Sequence, residues 1–275
     1  MNKFKPVFIE TTTLDNAWYQ LLRAAYYNGC RYKITSGSRI GLDRVALDFA
    51  AGFIHYPHTR PLAPGMPEGS TLPPPTSDEK IESYFTQYLM NPDYNSKEHY
   101  KYSEFICGSD RFCKRISQID WIINHFKTHG HGNEHGFLTV GYPEQLLTYD
   151  NPYMYCIKCK EYFKHGTKIC PNCEEELLVD EFARGSTPCL RGLDFRIMDG
   201  YLTTNIIYRS WSLYDGFPEN VGGMIMLNEY VADQLEDVKP GPVSFCCKSL
   251  HVYSDVLDIL KLNHNNFRSW IYAFK

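Results

Sequence analysis

Pro188-Cys189-Leu190-Arg191-Gly192-Leu193-Asp194-Phe195-Arg196-Ile197-Met198-Asp199-Gly200-Tyr201 is the stretch whose reading decides the fold. Leu193 to Ile197 alternates apolar and polar residues, the period of a half-buried strand. Asp199-Gly200 is a two-residue hairpin turn sequence, so a second strand is expected from Tyr201 to Tyr208. Beyond it stand Arg209-Ser210, a glycine-proline turn at Gly216-Phe217-Pro218, Asn220, a helix expected over about Met224 to Leu235, and His251-Val252-Tyr253.

Outside this stretch, 275 residues suffice for a large core, either as one domain with an insertion or as two domains. A net charge of −4 and a pI near 6.2 point away from nucleic-acid or membrane-surface partners. The 21 tyrosines favour a sheet-rich fold over a helical bundle. The opening Met1-Asn2-Lys3-Phe4-Lys5 lacks the apolar stretch of a signal peptide, and no apolar run has the length of a membrane span. A cytoplasmic protein is expected, and ten cysteines then argue against a disulfide framework.

Four of those cysteines form two knuckles, Cys156-Ile157-Lys158-Cys159 and Cys170-Pro171-Asn172-Cys173, separated by ten residues. Each knuckle offers two thiolates from a tight turn, and the pair makes a closed tetrahedral site for structural zinc. A zinc ribbon inserted over roughly residues 151–182 is therefore expected, either stiffening a neighbouring loop or serving as a docking surface.

Elsewhere a helix is expected over 11–28, started by Thr13 or Asp15 and ended at Asn28-Gly29. An apolar strand is expected from Val45 to Phe53. Seven prolines between residues 57 and 77 mark a surface excursion, followed by a helix over about 78–89 and another around 116–126. His129, His131 and His135 with Glu134 lie in a glycine-rich stretch that offers metal ligands but reads more simply as a loop. A strand is expected from Phe137 to Val140.

The ordered set of Pro188-Cys189, a strand pair, Arg209-Ser210, Gly216-x-Pro218-x-Asn220, a helix and His251-x-Tyr253 resembles the thymidylate synthase family, with its deoxypyrimidine nucleotide hydroxymethylases. The resemblance implies an α/β fold, a mixed twisted sheet with helices spanning residues 1–275, dimerising through a sheet face. It implies that Cys189 adds to C6 of a pyrimidine nucleotide, making C5 nucleophilic toward 5,10-methylenetetrahydrofolate. Arg209 would lower the thiol pKa and contact phosphate, with Ser210 adding a hydrogen bond. Asn220 would read the base, its donor and acceptor matching uracil O4 and N3–H. His251 and Tyr253 would bind the sugar hydroxyl. A loop arginine that closes on the phosphate matches Arg39, with Arg44 the alternative. Glu82 is the nearest match to the family's helix glutamate, without a commitment to that role.

Four departures accompany the likeness. Cys107-Gly108 stands where the family has Tyr-Gly, and a thiol cannot replace a phenol as a hydrogen-bonding group. Glu134-His135 stands where an arginine pair crosses the dimer. Ser212 replaces an aspartate that contacts folate, and the sequence reads to Trp270-Ile271-Tyr272-Ala273-Phe274-Lys275 without the tail that the resemblance leads one to expect. The expected reaction is methylation of a uracil deoxynucleotide. Hydroxymethylation is the close alternative, and a zinc-ribbon binding protein that has lost its chemistry is the rival of another class.

Overall fold

The computed structural model describes residues 5–35, 40–66, 73–93, 100–109, 116–142, 154–179, 187–254 and 256. Thirteen strands form three sheets among these residues. The largest is mixed and six-stranded. Across the sheet run β1 (Val7–Thr11), β4 (Ala50–Ile54), β12 (Lys239–Cys247), β10 (Tyr201–Tyr208), β9 (Leu190–Met198) and β5 (Gly136–Thr139). The expected hairpin joins β9 to β10. Asp199 at φ 49° and Gly200 at φ 78° both adopt the left-handed conformation that a tight hairpin turn requires.

One face of this sheet carries the core. Inward positions such as Phe195, Ile206, Val243 and Phe245 alternate with half-buried or exposed ones. Helices α1 (Leu14–Asn28) and α4 (Gly216–Asp233) pack on that face, and α3 (Gln118–His129) lies along β5. Trp18 of α1 is fully buried, and its indole N–H donates to the Leu213 and Tyr214 carbonyls at 3.1 and 3.0 Å. That shared bond pins α1 to the segment entering α4. The opposite face carries Phe8, Phe53 and Phe137, all exposed. Register sets Phe53, Ser244, Asn205, Asp194 and Phe137 in one row across it.

The expected strand from Val45 to Phe53 is two strands in different sheets. β3 (Asp43–Leu47) joins a four-stranded sheet of order β11-β13-β3-β2, with β2 at Cys30–Lys33, β11 at Trp211–Ser212 and β13 at Leu250–Tyr253. The chain bends at Asp48-Phe49, where the Phe49 carbonyl accepts the Val7 N–H, and re-enters the large sheet as β4. The helix expected over 78–89 starts as α2 (Asp78–Ser83) and widens into a π-helical stretch, Tyr84–Met90. Thr86 donates its hydroxyl to the Glu82 and Ser83 carbonyls, competing with the backbone ladder there. Helix α4 begins eight residues before the expected start, because Pro218 sits in its first turn, where proline has no hydrogen bond to lose. Arg39 lies outside the described residues.

Gly222 and Gly223 of α4 are flat spots that seat Ile81 and Tyr84. A Cβ at Gly223 would come within 2.5 Å of the Tyr84 ring. Gly223→Ala gains helix propensity but overpacks this contact. We expect a net loss of about 1–2 kcal/mol in urea unfolding.

Candidate active site

Cys189 is half-buried, one residue before β9, at the end of the sheet where β10 stops. Arg209, the first residue after β10, meets it through the backbone, its N–H donating to the Cys189 carbonyl at 2.9 Å. The Arg209 guanidinium donates to the Thr187 carbonyl (Nε 3.0 Å, Nη2 2.5 Å) and to that of Pro188 (3.3 Å). It thus clamps the segment that delivers the thiol while the side chain remains exposed.

Two tyrosines complete the wall. The Tyr100 hydroxyl accepts the Cys189 N–H at 3.4 Å, and that of Tyr102 accepts the Leu190 N–H at 3.3 Å. Burial first, and then the negative field of Cys189, push the Tyr100 phenol up to about 12, against the pull of Arg209. Tyr100 therefore keeps its proton at neutral pH. Cys107 lies elsewhere, its thiol directed at the Leu89 and Met90 carbonyls and pushed up to about 11 by burial. A phenol absent at Cys107-Gly108 is thus present beside Cys189 from a few residues earlier in the chain. Tyr100-Lys101-Tyr102 was the available signal.

The return of the chain after Arg209 gathers the other candidates. β11 pairs in parallel with β13, setting Trp211 against Leu250 and Ser212 against His251. The His251 ring is buried, with Nδ1 3.1 Å from the Ser249 carbonyl, and its ring meets that of Tyr253 edge-on at 5.2 Å. Arg44 lies opposite Tyr253 in the register, its guanidinium 5.4 Å from that ring and 5.9 Å from Tyr32. Ser210 is half-buried between Arg209 and Trp211. Asn220, on the early turns of α4, accepts the Trp211 indole N–H on Oδ1 at 2.9 Å. Ser212 donates to Asp215 at 2.5 Å, and Asp215 caps α4 by accepting the Gly216 N–H.

Three comparisons with known proteins bear on this arrangement. No family model matches the chain. A Methanocaldococcus jannaschii protein provisionally named thymidylate synthase is 36% identical over 183 residues, 66% of each chain. A Methanococcoides burtonii protein of the same name is 22% identical over 245 residues, 89% of this chain and 88% of that one. The match to a Methanosarcina barkeri namesake is 34% identical over 74 residues, 34% of that relative's length. Thermostable thymidylate synthase A from Bacillus subtilis superposes with a TM-score of 0.58 at 13% identity, covering 91% of this chain and 84% of that one. The chain belongs to the thymidylate synthase family.

Against that family the departures take physical form. Glu134 is exposed and pairs with Arg196 of β9 at 3.7 Å, and His135 meets His125 edge-on at 5.4 Å. His125 and His129 stack at 4.4 Å. Among the described residues, the one group of three or more ligand side chains that converges is that of the four cysteines, all sulfurs within 4.8 Å of one another. They sit on a separate three-stranded sheet, β7 (Glu161–Phe163), β6 (Met154–Cys156) and β8 (Leu178–Val179), with its own small core. The two knuckles are alike: Lys160 and Glu174, each just after a second cysteine, have φ of 58° and 59° and return their N–H groups to the Cys156 and Cys170 carbonyls. Sulfur separations of 3.5 and 3.8 Å match the edge of a tetrahedral site, about 3.8 Å for a Zn–S length of about 2.3 Å. The Cys159 N–H, 3.3 Å from Cys156 Sγ, helps pull that thiol down to about 7.

Glu82 is exposed on α2. The carboxylate that the sequence reading passed over is Glu219, which precedes Asn220, accepts the Thr76 hydroxyl at 3.2 Å, and has its pKa raised by burial. A carboxyl with a raised folded pKa contributes most below its unfolded value near 4.5, and that stability is lost as pH rises through the folded pKa. Glu219→Gln should therefore melt with wild type at pH 4 and above it at pH 8. Equal melting temperatures at both pH values would show that Glu219 carries no ionisation penalty.

Proposed function

We propose that this protein transfers a one-carbon unit from 5,10-methylenetetrahydrofolate to C5 of dUMP, yielding dTMP. The observation that carries the reading is a half-buried thiol, Cys189, with Arg209 clamping its backbone and a protonated phenol, Tyr100, on its N–H. In this reading Cys189 bonds to C6 of uracil, and the ring electrons shift onto O4 as an enolate. Arg209 keeps the sulfur charged and meets the phosphate, with Ser210 beside it. Asn220 holds the base edge, and His251 and Tyr253 the sugar hydroxyl. Arg39 is retained as the loop arginine on the phosphate. The bound folate supplies an electrophilic methylene and then hydride. Asp215, held on the Ser212 hydroxyl, offers a carboxylate for folate-ring donors near the position where the family aspartate is absent.

A second reading, hydroxymethyl transfer, is favoured by Ser212, since a loosened folate contact lets water in place of hydride. A third, a binding protein without chemistry, draws on Glu134-His135 alone. The open sheet face with Phe8, Phe53 and Phe137 supports a homodimer, and the four-sulfur geometry supports one structural zinc in the inserted ribbon at 151–182.

Tritium release from C5-labelled dUMP with methylenetetrahydrofolate tests the reaction. Release is expected, with Cys189→Ser lowering it by roughly three orders of magnitude. Product mass then separates methyl from hydroxymethyl. A wild-type protein that releases no tritium would remove the reading. Elemental analysis should find one zinc per chain. Phe53→Asp should shift sedimentation from dimer to monomer.

A further inference from the structure

We infer that Trp211 sets which pyrimidine this site accepts, by fixing the direction in which Asn220 presents its amide. The inference rests on the base-reading role given to Asn220 above, and it concerns a positioning residue that does not itself touch the nucleotide.

An amide can ordinarily be turned by 180°, exchanging its oxygen and nitrogen. Here the turn is blocked by chemistry. An indole nitrogen donates and cannot accept, so the Asn220 atom 2.9 Å from Trp211 Nε1 is the oxygen. Its NH2 group therefore points away from Trp211. The indole has no freedom to follow a flipped amide. It is 3% exposed and stacks on Tyr208 at 3.8 Å with the planes 5° apart. Phe217 and Phe245 close its other sides at 4.9 and 6.3 Å. Its own backbone is held by the N–H bond to the Ser249 carbonyl at 2.8 Å.

An amide locked this way offers N–H donors to the base, with the second lone pair of Oδ1 beside them. Uracil presents an acceptor, O4, next to a donor, N3–H. Cytosine presents an amine donor next to an acceptor, the reverse pattern. An unrestrained asparagine could flip to suit cytosine. Flipping this one would leave the buried indole N–H without a partner, a cost that corresponds to roughly tenfold or more in affinity.

Trp211→Phe tests this, because it keeps an aromatic ring in the stack and removes the donor, together with part of the indole's volume. Binding of dUMP and dCMP to wild type and variant is measured by equilibrium dialysis without folate, with 15N spectra of the free proteins. The wild type is expected to prefer dUMP, and the variant's preference should fall about tenfold while the Asn220 side-chain amide signals shift. A preference unchanged in the variant, with wild type binding dUMP, overturns the Trp211 assignment and leaves the proposed function standing. A wild type that binds neither nucleotide overturns the proposed function and this inference with it. Should the variant not fold, hydrogen exchange of the wild-type indole proton decides: slow exchange supports the lock, and exchange at the rate of an exposed indole refutes it.

Discussion

The contact between Arg209 and the backbone leading into Cys189 is the constraint on which the site depends. A thiol at the mouth of a sheet has no reason to hold one direction unless the chain before it is fixed. Thr187 and Pro188 lie before β9 begins, beyond the reach of its ladder. The Arg209 side chain fixes them from the adjacent strand end, while its backbone N–H holds the Cys189 carbonyl. The register set by the two-residue turn runs to the Ile207–Gly192 pair, and a bulge before the Tyr208–Leu190 pair then shifts the pairing by one residue and puts Arg209 beside Cys189. Fold and candidate site share one set of hydrogen bonds here, and a slip of register by one residue would take both away.

Behind that contact stands a wall of aromatic rings. Tyr84, Tyr88, Tyr102 and Tyr208 pack against one another beneath the thiol, and Trp211 continues the stack toward α4. Burial raises the pKa of Tyr84, Tyr102 and Tyr208 well above the ordinary value. These phenols remain neutral, so the wall stiffens the candidate site without adding charge to it. Gly222 and Gly223 serve the same wall by letting α2 and the π-helical turn approach α4 closely enough to seat Tyr84.

What the sequence made legible was whatever depends on neighbours in the chain. The β9–β10 hairpin was readable from alternation and Asp199-Gly200, and the cysteine knuckles from their spacing. Elements whose form is decided by distant residues were misjudged. Val45 to Phe53 has one apolar pattern, yet its halves enter different sheets because the Phe49 carbonyl is taken by Val7. Pro218 reads as a turn residue and is equally a first-turn helix residue; the choice depends on packing. Tyr100 and Trp211 carry no motif of their own. Their importance comes from a contact 89 residues away in one case and from an indole aimed at Asn220 in the other. A local scan registers such residues as ordinary core aromatics.

The ribbon is held together differently from the body of the protein. Its core consists of Met154, Cys156, Cys170 and Leu177, apart from the main cluster, with Cys159, Phe163 and Cys173 at its edge. Four buried side chains fall far short of what a segment this short needs to offset its conformational entropy. Two of the four are themselves thiols, and with Cys159 and Cys173 they form a group whose ionised sulfurs repel at such separations. The Cys159 N–H pulls the Cys156 thiol down, whereas hydrogen bonding to Cys173 and then burial push Cys159 up, and Cys173, against the lowering Glu175 N–H, is raised by burial and its thiol neighbours. A cation held by all four sulfurs would offset such repulsion and supply the stabilisation that so small a core lacks. A module stabilised in this way, lying in sequence between β5 and β9, would make no demand on the main core, from which its own small cluster is separate.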